Sequence, residues 1–276
     1  MSDRRIVGIA MVRDEDAFVE RALRNVLDFC DELIAVDHRS RDETPRILAE
    51  LAAANPERMR FHRVGRAGEA NELLRPYVGQ DVWVFGVDGD ELYEPDRLRA
   101  LRPRLLGGDF DEWYLIKGNV LHCDRLDAAA GTAEGWLAPP SRSITKLFNF
   151  RALERWEGQA IEHLYGGRRT FRPGYSDETI YYLRDDYDWA SSPFRCLHVC
   201  FLRRSSRQPA RQRTRQSVIE LGGIPRARRA LGRLGALVGR PPESQWKLAK
   251  YRQGARVEVD DVTPFFVAER AGVPRP

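Results

Sequence analysis

The sequence predicts an α/β fold, a mostly parallel central sheet with helices on both faces, followed by a short basic helical extension. Three observations predict it. Over the first hundred residues, short apolar runs alternate with segments whose apolar residues recur at helical spacing. Two of the apolar runs end in aspartates, at Asp37 and Asp88, and sheets of this kind bind ligands at the carboxyl ends of their strands. The chain has 276 residues, 42% hydrophobic and 31% charged, which is ample for a core and fits a soluble globular protein.

The elements follow in order. "RIVGIAMV" is a strand, and "DAFVERALRNVLDF" sets Phe18, Ala22, Leu23, Val26 and Leu27 at helical spacing. "DELIAVD" is a second buried strand. "RDETPRILAELAAANP" is a helix with Thr44 as its cap and Pro45 at the first helical position. "MRFHRV" is a third strand, "AGEANELLRPY" a helix, "DVWVFGVD" a fourth strand and "PDRLRALRPRLL" a helix. Beyond residue 100 the order changes. "EWYLIKGNVLHC" and "ITKLFNF" read as strands separated by a long loop, "DRLDAAAGTAEGWLAPPSRS". The expected organisation is one body over residues 1–205 and an extension over 206–276. Within the body, 1–100 form a nucleotide-binding half and 101–205 an acceptor half.

Charge is uneven. From Arg203 to Arg252 there are fourteen basic and two acidic residues, a net +12, against −8 for the remainder. That asymmetry points to an anionic partner: phosphate, a membrane surface or nucleic acid. Aromatic interleaving in the basic segment is thin, only Trp246 and Tyr251, so no nucleic-acid partner is expected; peripheral contact with anionic lipid fits better. No apolar run approaches the ~20 residues of a membrane span. The first residues read as a strand rather than a signal peptide, so the expected location is the cytoplasm. The four cysteines form no C-x-x-C pair and are expected to be reduced. Cys196, His198 and Cys200 alternate as a zinc half-site would, but without an obvious fourth ligand.

The stretch "VWVFGVDGDELYEP" poses the chemical question. A buried strand runs into Asp88, Asp90 and Glu91, and clustered carboxylates repel unless something cationic is present. Together with "VRDEDAFVERAL" and "ELIAVDHRSRDETPRIL", this stretch resembles, in order and spacing, a bacterial, metal-dependent, inverting glycosyltransferase of the GT-A-fold family 2. The resemblance covers residues 5–100 and continues more weakly to about 205. It implies a nucleotide-diphosphate sugar donor, a small-molecule, glycan or lipid-linked acceptor, hexosyl transfer, and Mg²⁺ or Mn²⁺ at the D-x-D carboxylates Asp88 and Asp90. Hard oxygen ligands suit those ions. It also implies that Arg13, Glu15, Asp37 and Asn71 frame the nucleotide with Asp88. "WEGQAIEHLYG" resembles a later family stretch and makes Glu162 the general base, with His163 the alternative. "CLHVCFLRRSS" resembles another and makes His198 a further metal ligand, with Arg203 and Arg204 at the diphosphate.

Two other readings compete. A nucleotidyltransferase on a similar fold would need a Gly-rich first loop that "IAMVRDEDAF" lacks. A non-enzymatic anion or nucleic-acid binder would rest on the Arg-rich tail alone.

Overall fold

The structure is a computed structural model that describes residues 4–66, 68–138, 146–157, 167–209, 212, 214 and 244–266. Its first half follows the expected alternation: β1 (Arg5–Val12), α1 (Val19–Leu27), β2 (Glu32–Asp37), α2 (Thr44–Ala54), β3 (Met59–Arg63), α3 (Glu69–Glu72), β4 (Val82–Val87). There follow β5 (Glu91–Tyr93), α4 (Pro95–Gly107), β6 (Leu115–Lys117), β7 (Asn119–Asp127), β8 (Thr132–Leu137) and β9 (Lys146–Asn149). The remaining elements are β10 (Leu153–Glu157), β11 (Arg168–Phe171), β12 (Ile180–Tyr182), β13 (Arg195–His198), α5 (Gln245–Tyr251) and β14 (Arg256–Val259).

Among the described residues, seven strands form the central sheet in the order β12-β6-β9-β4-β1-β2-β3. β1 to β4 are mutually parallel, whereas β9 runs antiparallel between β4 and β6. β2 and β4 are buried along their whole length, which is why they read as continuous apolar runs rather than alternating ones. One face packs Val19, Leu23 and Val26 of α1, Leu48 of α2 and Leu98, Leu101 and Leu105 of α4 against Phe29, Phe85 and Tyr93. The other face packs Ala70, Leu74 and Tyr77 with Phe148, Phe150 and Trp156.

A second sheet, β14-β8-β7-β13-β5, joins at the D-x-D turn, because β5 follows Asp90 directly and pairs antiparallel with β13. It also recruits the extension. β14 pairs with β8, Tyr251 of α5 is buried beside Phe201, and Phe265 stacks on Trp189 at 5.9 Å. The buried Asn25 amide donates to both Tyr93 O (2.7 Å) and Phe265 O (2.8 Å), tying α1 to the end of the extension. The sequence sets Leu231, Leu234 and Val238 on one helical face of the extension, and these residues lie outside the described ones. No helix among the described residues is long and apolar enough to cross a membrane.

Three local expectations are corrected. α2 begins at Thr44 itself, whose hydroxyl is engaged elsewhere, and Asp42 Oδ1 receives the Thr44 amide at 3.0 Å. The expected helix over 67–77 shortens to α3 and a 3₁₀ turn at Arg75–Tyr77, since Pro76 cannot donate to a continuing helix. The expected long loop after Cys123 contains the end of β7 and all of β8. Gly135 hides that strand from a propensity reading. A Cβ there would meet His122 O at 2.2 Å, so the strand needs glycine where it crosses β7.

Candidate active site

The carboxyl ends of β1, β2 and β4 carry the predicted carboxylates. In register, Val12 of β1 lies beside Asp37 of β2, and β4 runs on β1's other side. Asp37 and the D-x-D turn are therefore about two strand spacings apart, roughly 10 Å. Asp37 is fully buried; its Oδ2 accepts from Arg63 Nε at 3.1 Å and its Oδ1 from the Ser40 amide at 3.0 Å.

Two loops frame this edge and are stitched together. Asp14, at φ 52°, donates its amide to Ser40 Oγ (2.9 Å) and receives the Arg41 amide at Oδ1 (2.6 Å). The Glu15 amide donates to Thr44 Oγ1 at 2.8 Å. Aspartate adopts left-handed backbone more readily than most residues because its short side chain bonds nearby backbone. Residues 203–207 then cross both loops. Ser205 Oγ donates to Asp42 Oδ2 (2.6 Å), the Ser206 amide to Asp16 Oδ1 (2.7 Å), and the Ala17 amide to Arg204 O (3.1 Å). Arg13 is half-buried, 3.7 Å from Asp14 Oδ2. Asn71 is buried in α3, beyond the carboxyl end of β3.

The two D-x-D carboxylates have different partners. Asp88 Oδ2 lies 3.0 Å from Lys146 Nζ on β9, which also sits 4.0 Å from Glu91 Oε1. Lys146 is only 2% exposed, and a lysine so deeply buried needs a paired charge. Burial is the main force that raises the Glu91 carboxyl to about 8; Lys146 opposes the rise and the Asp88 carboxylate adds to it. Asp90 contacts Arg204 through Oδ2, and the same oxygen is 3.3 Å from His198 Nε2. Arg204 also reaches Glu15 Oε1 at 3.4 Å. Burial works against the Asp90 charge, yet Arg204 and His198, with Lys247 of α5, hold its carboxyl well below the usual range. Burial first, with Arg204 and Lys247 adding to it, lowers His198 against the pull of Asp90, so the ring is neutral near neutral pH. Between the two aspartates, a Cβ on Gly89 would meet Glu15 Oε2 at 2.2 Å and Val12 Cγ1 at 2.8 Å; the middle position has no room for a side chain.

Behind His198 lies His122 of β7, its Nδ1 2.9 Å from His198 Nδ1 and its ring flat against Tyr251 at 4.2 Å. Ligand atoms of His122, His198 and Cys200 all lie within 4.8 Å of one another. Cys196, the other member of the alternating trio, is not in that group. Burial first, then the Asp90 carboxylate, pushes the Cys200 thiol well up, so it stands as S–H. All four cysteines are free and buried.

The structure thus gathers Glu15, Asp90, His198 and Arg204 into one cluster, with Asp88 and Asp37 at the ends of β4 and β2, the strands on either side of β1. Arg203 is exposed and turns back onto Ser205 O at 3.1 Å. Glu162 and His163 lie outside the described residues. Sequence reasoning missed Lys146, His122, Lys247 and the part played by Tyr251. The first two carried a faint signal, a lone basic or imidazole side chain inside an apolar strand.

An oxygen and a nitrogen donor, Asp90 Oδ2 and His198 Nε2, converge at this point, and a guanidinium already neutralises the same oxygen. The position is built for positive charge, and it can offer a divalent ion one carboxylate oxygen and one imidazole nitrogen.

No curated protein sequence matches the chain. Solved structures similar to it include glucosyl-3-phosphoglycerate synthase from Mycobacterium tuberculosis in complex with Mn²⁺, uridine diphosphate and glucosyl-3-phosphoglycerate. That match has 23% identity over 44% of each chain, with a TM-score of 0.32. The same enzyme in complex with uridine diphosphate matches with 24% identity over 45% of this chain and 46% of that one, again at a TM-score of 0.32. The chain thus spans less than half the length of these neighbours. The model of glycosyl transferase family 2 matches residues 9–207, which include every element that builds the cluster except α5, and the chain belongs to that family.

Proposed function

We propose that the protein transfers a sugar, of the hexosyl class, from a nucleotide-diphosphate donor to an acceptor hydroxyl with inversion, assisted by Mg²⁺ or Mn²⁺. The observation that carries the reading is the convergence of Asp90 Oδ2, His198 Nε2 and Arg204 at the end of a D-x-D strand in a family 2 chain. Asp37 accepts a hydrogen bond from the base, with Arg13, Glu15 and Asn71 around it. Asp88, charge-balanced by Lys146, faces the ribose and diphosphate. Asp90 and His198 would hold the ion, which supplies charge neutralisation for the leaving diphosphate. Arg204, with Arg203 beside it, takes diphosphate oxygens. Glu162 accepts the acceptor's proton as its oxygen bonds to the anomeric carbon from the face opposite the departing nucleoside diphosphate. The acceptor binds on the side built by residues 101–205, with the extension alongside.

The test is Asp90→Asn, which keeps shape and removes a charged ligand. Transfer from a panel of nucleotide sugars with Mn²⁺ should fall by about 10²–10³, with far-ultraviolet circular dichroism unchanged. A variant that binds donor and Mn²⁺ as tightly as the parent overturns the assignment.

A further inference from the structure

We propose that His122 is a positioning residue for the cation site: its ring lets His198 exchange a hydrogen bond to Asp90 for a cation without losing its second partner. The inference rests on the cation reading above and adds to it a residue, a mechanism and a role for α5.

His198 uses both ring nitrogens. Nε2 lies 3.3 Å from Asp90 Oδ2, and Nδ1 lies 2.9 Å from His122 Nδ1. Both rings are buried, so water does not complete their hydrogen bonding cheaply. In this arrangement His198 bears its ring proton on Nε2, because the Asp90 carboxylate 3.3 Å away can only accept. Its Nδ1 then carries a lone pair, and His122 Nδ1–H donates to it. To give Nε2 to a cation, His198 must move its proton to Nδ1, and that proton then needs an acceptor. His122 becomes that acceptor once its own proton sits on Nε2. Both rings remain neutral throughout, and no proton is gained or lost overall. A backbone carbonyl would serve only the second state and an amide N–H only the first; a neutral imidazole serves both. Partners of this kind orient metal-binding histidines.

The ring is held for this task. Tyr251 lies parallel to His122, centroids 4.2 Å apart at 5°, and edge-on to His198 at 5.3 Å and 70°. Tyr251 is itself buried, with Trp246 of the same helix against it at 5.5 Å. The pair is therefore clamped between β7, β13 and α5.

The experiment uses the full chain and Mn²⁺ binding in the presence of uridine diphosphate, read from the free-ion electron paramagnetic resonance signal. His122→Phe keeps a ring against Tyr251 and removes the nitrogen; affinity should drop by about 10–100-fold. His122→Asn places an amide, able to donate or accept, near the Nδ1 position and should recover most of that loss. Urea unfolding of both variants separates this effect from stability, because a purely structural role would not favour Asn over Phe. In the parent, ¹⁵N-histidine spectra should show the protonated nitrogen exchanging in both rings when Mg²⁺ and uridine diphosphate are added. Mn²⁺ binding that is indifferent to His122→Phe, no recovery in His122→Asn, or fixed tautomers in the parent would overturn this inference alone. A parent that binds no Mn²⁺ would overturn it together with the cation reading.

Discussion

Arg204→Met is the most informative single perturbation of the cluster. It keeps most of the aliphatic stem and removes the guanidinium between Asp90 and Glu15, both buried. Removing one partner of a buried ion pair costs ~3–5 kcal/mol, because the other charge is left in a poor solvent. Here His198, 3.3 Å from the same Asp90 oxygen, compensates in part, so the lower end applies. About 3 kcal/mol corresponds to a drop in Tm of roughly 6–12 °C for a chain of this size. The effect has a pH signature. The Asp90 carboxyl is depressed in the folded state, so its contribution is present above its unfolded value and lost as pH falls through the folded one. Losing Arg204 raises the folded value and moves the acid limb of unfolding to higher pH. The assay is urea and thermal unfolding of the parent, Arg204→Met, Asp90→Asn and the double variant. The double variant should be more stable than the sum of the singles predicts by about 1 kcal/mol or more. A loss under about 1 kcal/mol in Arg204→Met, as for a solvent-exposed pair, or strict additivity, refutes the reasoning.

Gly89→Ala places a methyl group against Glu15 Oε2 and Val12 Cγ1 and should cost ~1–3 kcal/mol; an unchanged Tm would show that the turn has room. Glu91→Gln tests the buried carboxyl. With a folded pKa of about 8, above its unfolded value of 4.5, Glu91 lowers stability as pH rises through that interval, so the variant should gain most over the parent above pH 8. Equal urea midpoints for the two proteins at pH 9 would contradict this. Glu162→Gln should slow transfer by roughly 10²–10⁴ while leaving donor binding intact; an unchanged rate at saturating substrate moves the base to His163 or to an aspartate of "YLRDDYDW".

Most of the central sheet was legible because its strands are buried on both faces and so appear as unbroken apolar runs, "ELIAVD" and "VWVFGV" above all. The carboxylates at their ends were legible for the same reason: a charge after such a run has to be explained. The second sheet was harder. β8, "TAEGWL", has no bulky alternation, and its glycine is dictated by the main chain of β7 rather than by any local preference. Partners were harder still. Arg204 and Asp90 are 114 residues apart, as Lys146 and Asp88 are 58 apart, and no local pattern couples them. The family resemblance placed Arg204 near diphosphate but said nothing of its seat on Asp90.

The extension bears on the carboxylate cluster for an electrostatic reason. Asp88, Asp90 and Glu15 lie close together, buried or partly buried, an arrangement that repels itself unless cations are interleaved, while Glu91 beside them keeps its proton near neutral pH, its carboxyl raised by burial to about 8. Those cations come from remote parts of the chain: Lys146 from β9, Arg204 from the segment that crosses the first two loops, and Lys247 from α5 through its field on Asp90. The same helix brings Tyr251 to the histidine pair, and its neighbour β14 fixes the helix by extending the second sheet. The uneven charge of the sequence, +12 over residues 203–252 and −8 outside them, is thus answered in part inside the molecule. Exposed pairs contribute only ~0–1 kcal/mol each, so charge alone would not seat the extension. The burial of Tyr251, Val262 and Phe265 does that, and charge then decides what the seated segment is worth to Asp90.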